Sequence, residues 1–259
     1  MILSYKNRFL FIKNTKVAGT SVEMALSSFC GENDIITPVS VKDELERIEK
    51  YNSFCKNYAH DRNKEDEYIK KLKNVLATDD LEKKKRLFDD IVITRDKNIK
   101  FSNHMHLKDV LKKVEIDTNH FLLIYICRNP YDQVISRSEW KLTNYDKFEK
   151  TPNANIDIKK YLCASLDEVI KKTRENIHRV EKSNVFPNIK VLRYESIQQD
   201  FNDLLSLLGY DPMELPYAKK SARDKELGIT YYLDKNQIQK INKELRDYFE
   251  RYQYAMMEV

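Results

Sequence analysis

Glycine is scarce in this chain: there are four in 259 residues, with six prolines and no Pro- or Gly-rich stretch. Flexible linkers and low-complexity segments are thereby excluded. No apolar run approaches the ~18–20 residues that cross a bilayer. Residues 1–12 are too short, and too interrupted by Lys6, Asn7 and Arg8, to read as a secretory leader. The four cysteines, Cys30, Cys55, Cys127 and Cys163, lack the short spacings of a zinc site or a redox dithiol. A protein of the reducing cytoplasm is the expectation. A strong charge of one sign is also missing: 46 Lys and Arg against 41 Asp and Glu leave a net charge of +5. That surplus suits an anionic nucleotide or an acidic acceptor and is too small for duplex nucleic acid. The 16 tyrosines are scattered through helical patterns rather than interleaved with basic residues, which argues against single strands as well.

What the chain does have is alternation. Residues 8–12 read as a short buried strand, followed by a loop and a helix over 22–29 with Val22, Ala25, Leu26 and Phe29 on one face. Residues 121–127 (FLLIYIC) are continuously apolar, as in a central parallel strand, and Pro130 is placed to open a helix reaching about Thr143. A helix over 157–182, a strand over 189–193 and a helix over 196–208 closed by Gly209 follow, and residues 236–252 read as one last helix. A β-branched run at 91–94 predicts a further strand, and residues 107–114 look helical. Residues 42–90 differ in character: dense in charge, free of Gly and Pro, with weak apolar stripes that predict two or three amphipathic helices. The whole predicts an α/β fold with a mostly parallel sheet, as a single domain over 1–259 carrying a charged helical insertion at about 42–90.

The loop after the first strand carries Lys16, Val17, Ala18, Gly19, Thr20 and Ser21. Backbone N–H groups in such a turn can converge on an anion, and the helix that follows adds its positive dipole end. Lys16 contributes a charge, and Thr20 and Ser21 contribute hydroxyls. The alternative is a plain capped helix, with Thr20 or Ser21 as the cap and Lys16 in solvent. The loop is not that of nucleoside triphosphatases, because the lysine precedes the glycine and G-x-x-x-x-G-K-[ST] is absent. A second group follows the apolar strand: Arg128 at its carboxyl end, where ligands gather in open α/β sheets, and Ser136 eight positions on. The alternative there is an arginine paired with a carboxylate and a serine bonded back to its own helix.

Residues 11–26 (FIKNTKVAGTSVEMAL) together with 127–136 (CRNPYDQVIS) resemble the sulfotransferase superfamily. The resemblance implies a three-layer P-loop-type domain, its sheet flanked by helices. It implies that Lys16, Val17, Ala18, Gly19, Thr20 and Ser21 bind the 5′-phosphosulfate of 3′-phosphoadenosine 5′-phosphosulfate (PAPS), and that Arg128 and Ser136 bind its 3′-phosphate. Residues 191–195 (VLRYE) and 247–254 (DYFERYQY) resemble later elements of the family, whereas 42–90 matches none of them. Many relatives carry His-x-Pro-Lys-Thr where this chain has Lys13, Asn14, Thr15, Lys16 and Val17, so one hydroxyl donor is missing at Val17.

His104 and His106 form an H-x-H before the helix at 107. It resembles the H-x-H of uronyl 2-O-sulfotransferases, where histidine is the catalytic base. A metal site or a helix cap would use the same residues. The expected activity is sulfuryl transfer to a hydroxyl of a small molecule or glycan, with Lys16 and His104 or His106 as catalytic residues, no metal, and adenosine 3′,5′-bisphosphate as product. A P-loop-type nucleotide or small-molecule kinase and a non-enzymatic nucleotide-binding protein are the alternatives. Lys219, Lys220 and Arg223 could close over the 3′-phosphate, meet an acidic acceptor or form an exposed basic loop. The acceptor pocket is expected from 42–90 and 140–161.

Overall fold

The computed structural model describes residues 1–93, 99–142, 157–216 and 227–258. Five strands form one sheet: β1 (Ile2–Ser4), β2 (Phe9–Phe11), β3 (Ile35–Ile36), β4 (Leu122–Cys127) and β5 (Asn188–Arg193), in the order β3-β1-β2-β4-β5. β2, β4 and β5 pair in parallel, and β1 pairs antiparallel with both β2 and β3. Four of the five strands therefore point the same way, as expected for a mostly parallel α/β sheet. β1 lies where the sequence predicts no strand. Three residues are too few to show a period, and the strand exists because its hairpin partner β2 is buried.

Side-chain alternation along the strands divides the core in two. Leu10, Ile12, Leu123, Tyr125 and Cys127 face one layer, made by α5 (Leu107–Leu111), α6 (Pro130–Leu142), α7 (Ile158–Arg179), α10 (Lys235–Glu244) and α11 (Arg246–Tyr252). Phe9, Phe11, Ile124, Ile126 and Leu192 face the other, made by α1 (Gly19–Ser27) and α8 (Ile197–Leu207). Helices thus cover both faces, which is the three-layer arrangement. Gly209 ends α8 in the left-handed region, at φ 82°, where glycine costs least.

The charged segment forms α2 (Val41–Tyr51), α3 (Arg62–Leu76) and α4 (Leu81–Ile93), around a small core of Val41, Leu45, Leu72, Val75, Phe88 and Ile91. The strand expected at 91–94 is corrected here: Ile91 belongs to α4, one turn after Phe88, and 94–98 lie outside the described residues. Two buried side chains three apart suit a helix against two others better than a β-branched run suits a strand without a partner. The last helix is corrected too. It breaks at Leu245 (φ −115°, ψ 22°) into α10 and α11, and a short α9 (Ile229–Tyr232) precedes them. Leu245 itself is buried, so the break turns the chain without interrupting the apolar face. Among the described residues no helix is long and apolar enough to cross a membrane.

Candidate functional site

β2, β4 and β5 end on the same edge of the sheet, and the loops leaving them meet there. The chain leaves β2 through Lys13, Asn14 and Thr15 and enters α1 at Gly19. Asn14 Nδ2 donates to the Ile126 carbonyl (3.0 Å), which fastens the loop to β4. Thr15 is held from both neighbouring helices. Its carbonyl accepts from Gln133 Nε2 of α6 (2.8 Å) and Asn176 Nδ2 of α7 (3.0 Å), and its N–H donates to Asn176 Oδ1 (3.0 Å).

The left-handed residues of the loop are Lys16 (φ 62°) and Ala18 (φ 61°), not the glycine. Neither has a side chain that favours that region, so the loop stores strain of the kind that accompanies ligand-shaped backbone. Ala18 is the N-cap of α1 and has no side-chain cap; Thr20 and Ser21 lie inside the first helical turn, so neither acts as the cap. The Ser21 N–H donates to the Ala18 carbonyl (3.1 Å); the amides that open a helix before such a bond can form are the ones available to an anion. Val17 is fully buried under the loop, which explains why an apolar residue stands there.

Gly19 serves close approach instead. A Cβ at this position would lie 2.9 Å from Lys13 Cγ and 3.4 Å from the Asn14 carbonyl. Lys13 cannot swing aside freely, because its Nζ is 2.7 Å from the buried Glu23 carboxylate. Gly19→Ala is therefore expected to cost about 1–3 kcal/mol, read as a lower urea midpoint at unchanged m-value.

Arg128 connects the two groups found in the sequence. Its Nη1 donates to the Lys16 carbonyl (2.9 Å), its Nε to Asp132 Oδ2 (2.6 Å), and its guanidinium stacks 3.8 Å from the Tyr194 ring centroid. The carboxylate pairing weighed as an alternative is thus present, yet it orients the fork toward the loop. The Lys16 ammonium lies 5.7 Å from the Trp140 ring centroid on α6, within cation–π range. Ser136 is buried on α6 near Gln133 and Arg137, both of which bond Thr15; no partner for its hydroxyl is found among the described residues. At the end of β5, Glu195 accepts from the Asn129 N–H (2.7 Å) and from Tyr254 Oη (2.8 Å), tying residues 191–195 and the chain's last turn to the same edge.

The two histidines part company. His104 Nδ1 lies 3.1 Å from the Lys13 carbonyl, against the loop. A carbonyl accepts only, so Nδ1 carries the proton and Nε2 is left with a lone pair. His106 Nδ1 lies 3.2 Å from the His178 carbonyl at the end of α7. Both histidines line a cleft of about 410 Å³ with Ser102, Met105, Asp109, Lys112 and Lys113. Burial, then the charge of Lys13, pushes His104 down to about 3, although its outer edge remains exposed. It is a neutral imidazole at pH 7. Residues 103–104 form a turn rather than an extended pair, which is why alternate residues there have different partners. Among the described residues no group of three or more His, Cys, Asp or Glu could hold a metal ion.

Beneath the loop lies a buried charge cluster. Glu23 of α1 takes Lys13 at 2.7 Å, the Met1 amine at 2.7 Å and Arg47 of α2 at 3.7 Å, and Arg47 also meets Glu44 at 3.1 Å. Burial alone would raise Glu23; the charges of Lys13, the Met1 amine and Arg47 outweigh it and hold the carboxyl at about 2. Sequence reading missed Thr15, Gln133, Arg137, Asn176 and Arg179 as site residues. Nothing in a helical pattern marks which polar side chain faces inward until the helix has a neighbour. Lys219, Lys220, Arg223 and most of 140–161 lie outside the described residues.

No family model matches the chain. The chain is similar to a cytosolic sulfotransferase (sulfotransferase 15) of Arabidopsis thaliana, 27% identical over 176 residues, which cover 61% of this chain and 45% of that protein. The chain thus spans about half the length of the curated relative it matches. The similarity supports a relationship to the sulfotransferases.

Proposed function

We propose that this protein transfers a sulfuryl group from PAPS to a hydroxyl of a small-molecule or glycan acceptor. The bond from Arg128 Nη1 to the Lys16 carbonyl carries this reading. It joins a helix-opening, strained anion loop to an arginine at the end of the central strand, the two features a doubly phosphorylated adenosine requires.

In this reading Lys16 and the first-turn amides of α1 hold the phosphosulfate and stabilise the charge left on the bridging oxygen. Arg128 and Ser136 bind the 3′-phosphate. His104 acts as the base. Its Nδ1–H is spent on the Lys13 carbonyl, so Nε2 receives the acceptor proton. The sulfur forms its bond to the acceptor oxygen as the bond to the bridging oxygen breaks, and adenosine 3′,5′-bisphosphate leaves. As in phosphoryl transfer, most of the work is positioning and electrostatics. An anionic donor beside Lys13 and Lys16 would raise His104 toward the range a base needs.

Ligand-induced stabilisation tests the donor. At a concentration of 100 times Kd, adenosine 3′,5′-bisphosphate is expected to add about 2.7 kcal/mol, with ATP well behind at equal concentration. Arg128→Ala and Lys16→Ala are expected to remove most of that gain. A larger shift with ATP than with the bisphosphate would overturn the reading in favour of a kinase.

A further inference from the structure

Five Lys or Arg side chains of the described residues are buried, and three of them have a carboxylate. Lys13 is 2.7 Å from Glu23, Arg47 is 3.1 Å from Glu44, and Arg128 is 2.6 Å from Asp132. Arg137 of α6 and Arg179 at the end of α7 are 8% and 6% exposed, and no carboxylate among the described residues forms an ion pair with either. Burying a charge without a counter-ion is costly, and proteins rarely leave it so.

What surrounds these two arginines is neutral and holds them in place. Arg137 Nη2 donates to Thr15 Oγ1 (2.5 Å), Thr15 Oγ1 to Asn176 Oδ1 (3.0 Å), and Arg179 Nη1 to the same Asn176 Oδ1 (2.8 Å). Arg179 Nε donates to the His104 carbonyl (3.0 Å). Two guanidinium groups therefore flank one short Thr15–Asn176 bridge, despite their mutual repulsion. Arg137 Nε is sealed from solvent and has no hydrogen-bond partner among the described residues. Among the described residues nothing accepts from Arg137 Nη1 or Arg179 Nη2. Burial pushes Arg137 down to about 10; Glu175 acts against that, and Arg179 adds to it. Burial lowers Arg179 as well.

We propose that Arg137 and Arg179, spaced by Thr15 and Asn176, form a second anion site, specific for a sulfate-like oxyanion, between the loop and the His104 segment. Glu175 acts on both arginines without an ion pair to either; an oxyanion supplies the directly bonded negative charge, and a planar fork matches its oxygens two at a time. Thr15 adjoins Lys16, and Arg179 holds the backbone of His104, so the anion lies beside the proposed transfer point. It is either the sulfuryl group of the donor or an anionic group on the acceptor. Only that choice of source rests on the sulfuryl-transfer reading; the unpaired arginines do not.

The test is a calorimetric titration of the full chain with inorganic sulfate, with and without saturating adenosine 3′,5′-bisphosphate, on the wild type, Arg137→Gln and Arg137→Lys. Losing a charge-assisted bond should weaken sulfate binding roughly 10- to 100-fold in Arg137→Gln. Arg137→Lys keeps the charge without the fork and should fall between; it carries the test if Arg137→Gln does not fold. Absence of sulfate binding in the wild type, or unchanged binding in the folded variants, overturns the site. If the donor supplies the anion, Arg137→Gln weakens PAPS and spares the bisphosphate, which has no sulfuryl group. If the acceptor supplies it, both nucleotides bind as in the wild type while sulfate affinity falls. Failure of the wild type to bind the bisphosphate would sink the sulfuryl-transfer reading, with sulfate titration still deciding the arginine site.

Discussion

Glu23→Gln is expected to destabilise the fold by about 3–5 kcal/mol, the cost of breaking a buried ion pair by removing one partner. The substitution preserves shape and removes the charge to which Lys13, the Met1 amine and Arg47 all turn. Lys13 and Arg47 would stay buried without that carboxylate, and Glu44 already serves Arg47. Because Lys13 also supplies the carbonyl that orients His104, and packs where a Cβ of residue 19 would sit, the loop should loosen together with the global fold. Urea denaturation checks the size. The pH dependence checks the cause. The Glu23 carboxyl is held at about 2, below its ordinary 4.5. Its contribution is therefore complete above about pH 4.5 and lost as pH falls toward 2. The wild type should lose this increment on acidification, and Glu23→Gln should not.

His104→Ala is expected to lower the rate of sulfuryl transfer by about 10²–10⁴-fold, the usual contribution of a general base, while leaving adenosine 3′,5′-bisphosphate affinity within about twofold. The split follows from the geometry: His104 meets the loop at the Lys13 carbonyl, and the expected nucleotide contacts lie on Lys16 to Ser21 and Arg128. His106→Ala should have a much smaller effect, since His106 is bonded to the end of α7 rather than to the loop. Labelled-sulfate transfer over a panel of hydroxyl acceptors, with bisphosphate binding measured in parallel, checks both. Equal losses in the two variants would remove the distinction drawn between them. His104 also titrates with a sign of its own. Its folded value, near 3, lies below the ordinary 6.5. The unfolded chain thus takes up more protons between those values, and stability rises with pH across that window. His104→Ala should flatten that part of the profile.

The alternation of strands and helices, the apolar strand that became β4, and the loop at residues 16–21 were legible because each depends on neighbours within a few residues. Periodicity, a helix opened by Pro130 and a terminal Gly209 are local statements. The H-x-H was equally visible, and so was the amphipathic character of 42–90.

Where local signals compete, neighbours decide. The run at 91–94 has strand-like composition, and Ile91 went into α4 because Leu72, Val75 and Phe88 offered it a helical core. Residues 2–4 became β1 because Phe9, Leu10 and Phe11 lie alongside. Gly19 stands out in a chain of four glycines, and a Cβ there would meet Lys13, a matter of packing that no spacing rule contains.

By itself, then, the sequence determined the α/β class, the place of the loop and its pairing with Arg128. The tertiary structure decided which charges neutralise one another and which do not. Glu23 meets Arg47, Arg128 meets Lys16, Arg137 meets Thr15 and His104 meets Lys13 across separations of 24 to 122 residues. Such pairings depend on the order of strands in the sheet and on the rotation of each helix about its axis. Local periodicity carries neither quantity, so the electrostatics of the site became readable only when the layers were assembled.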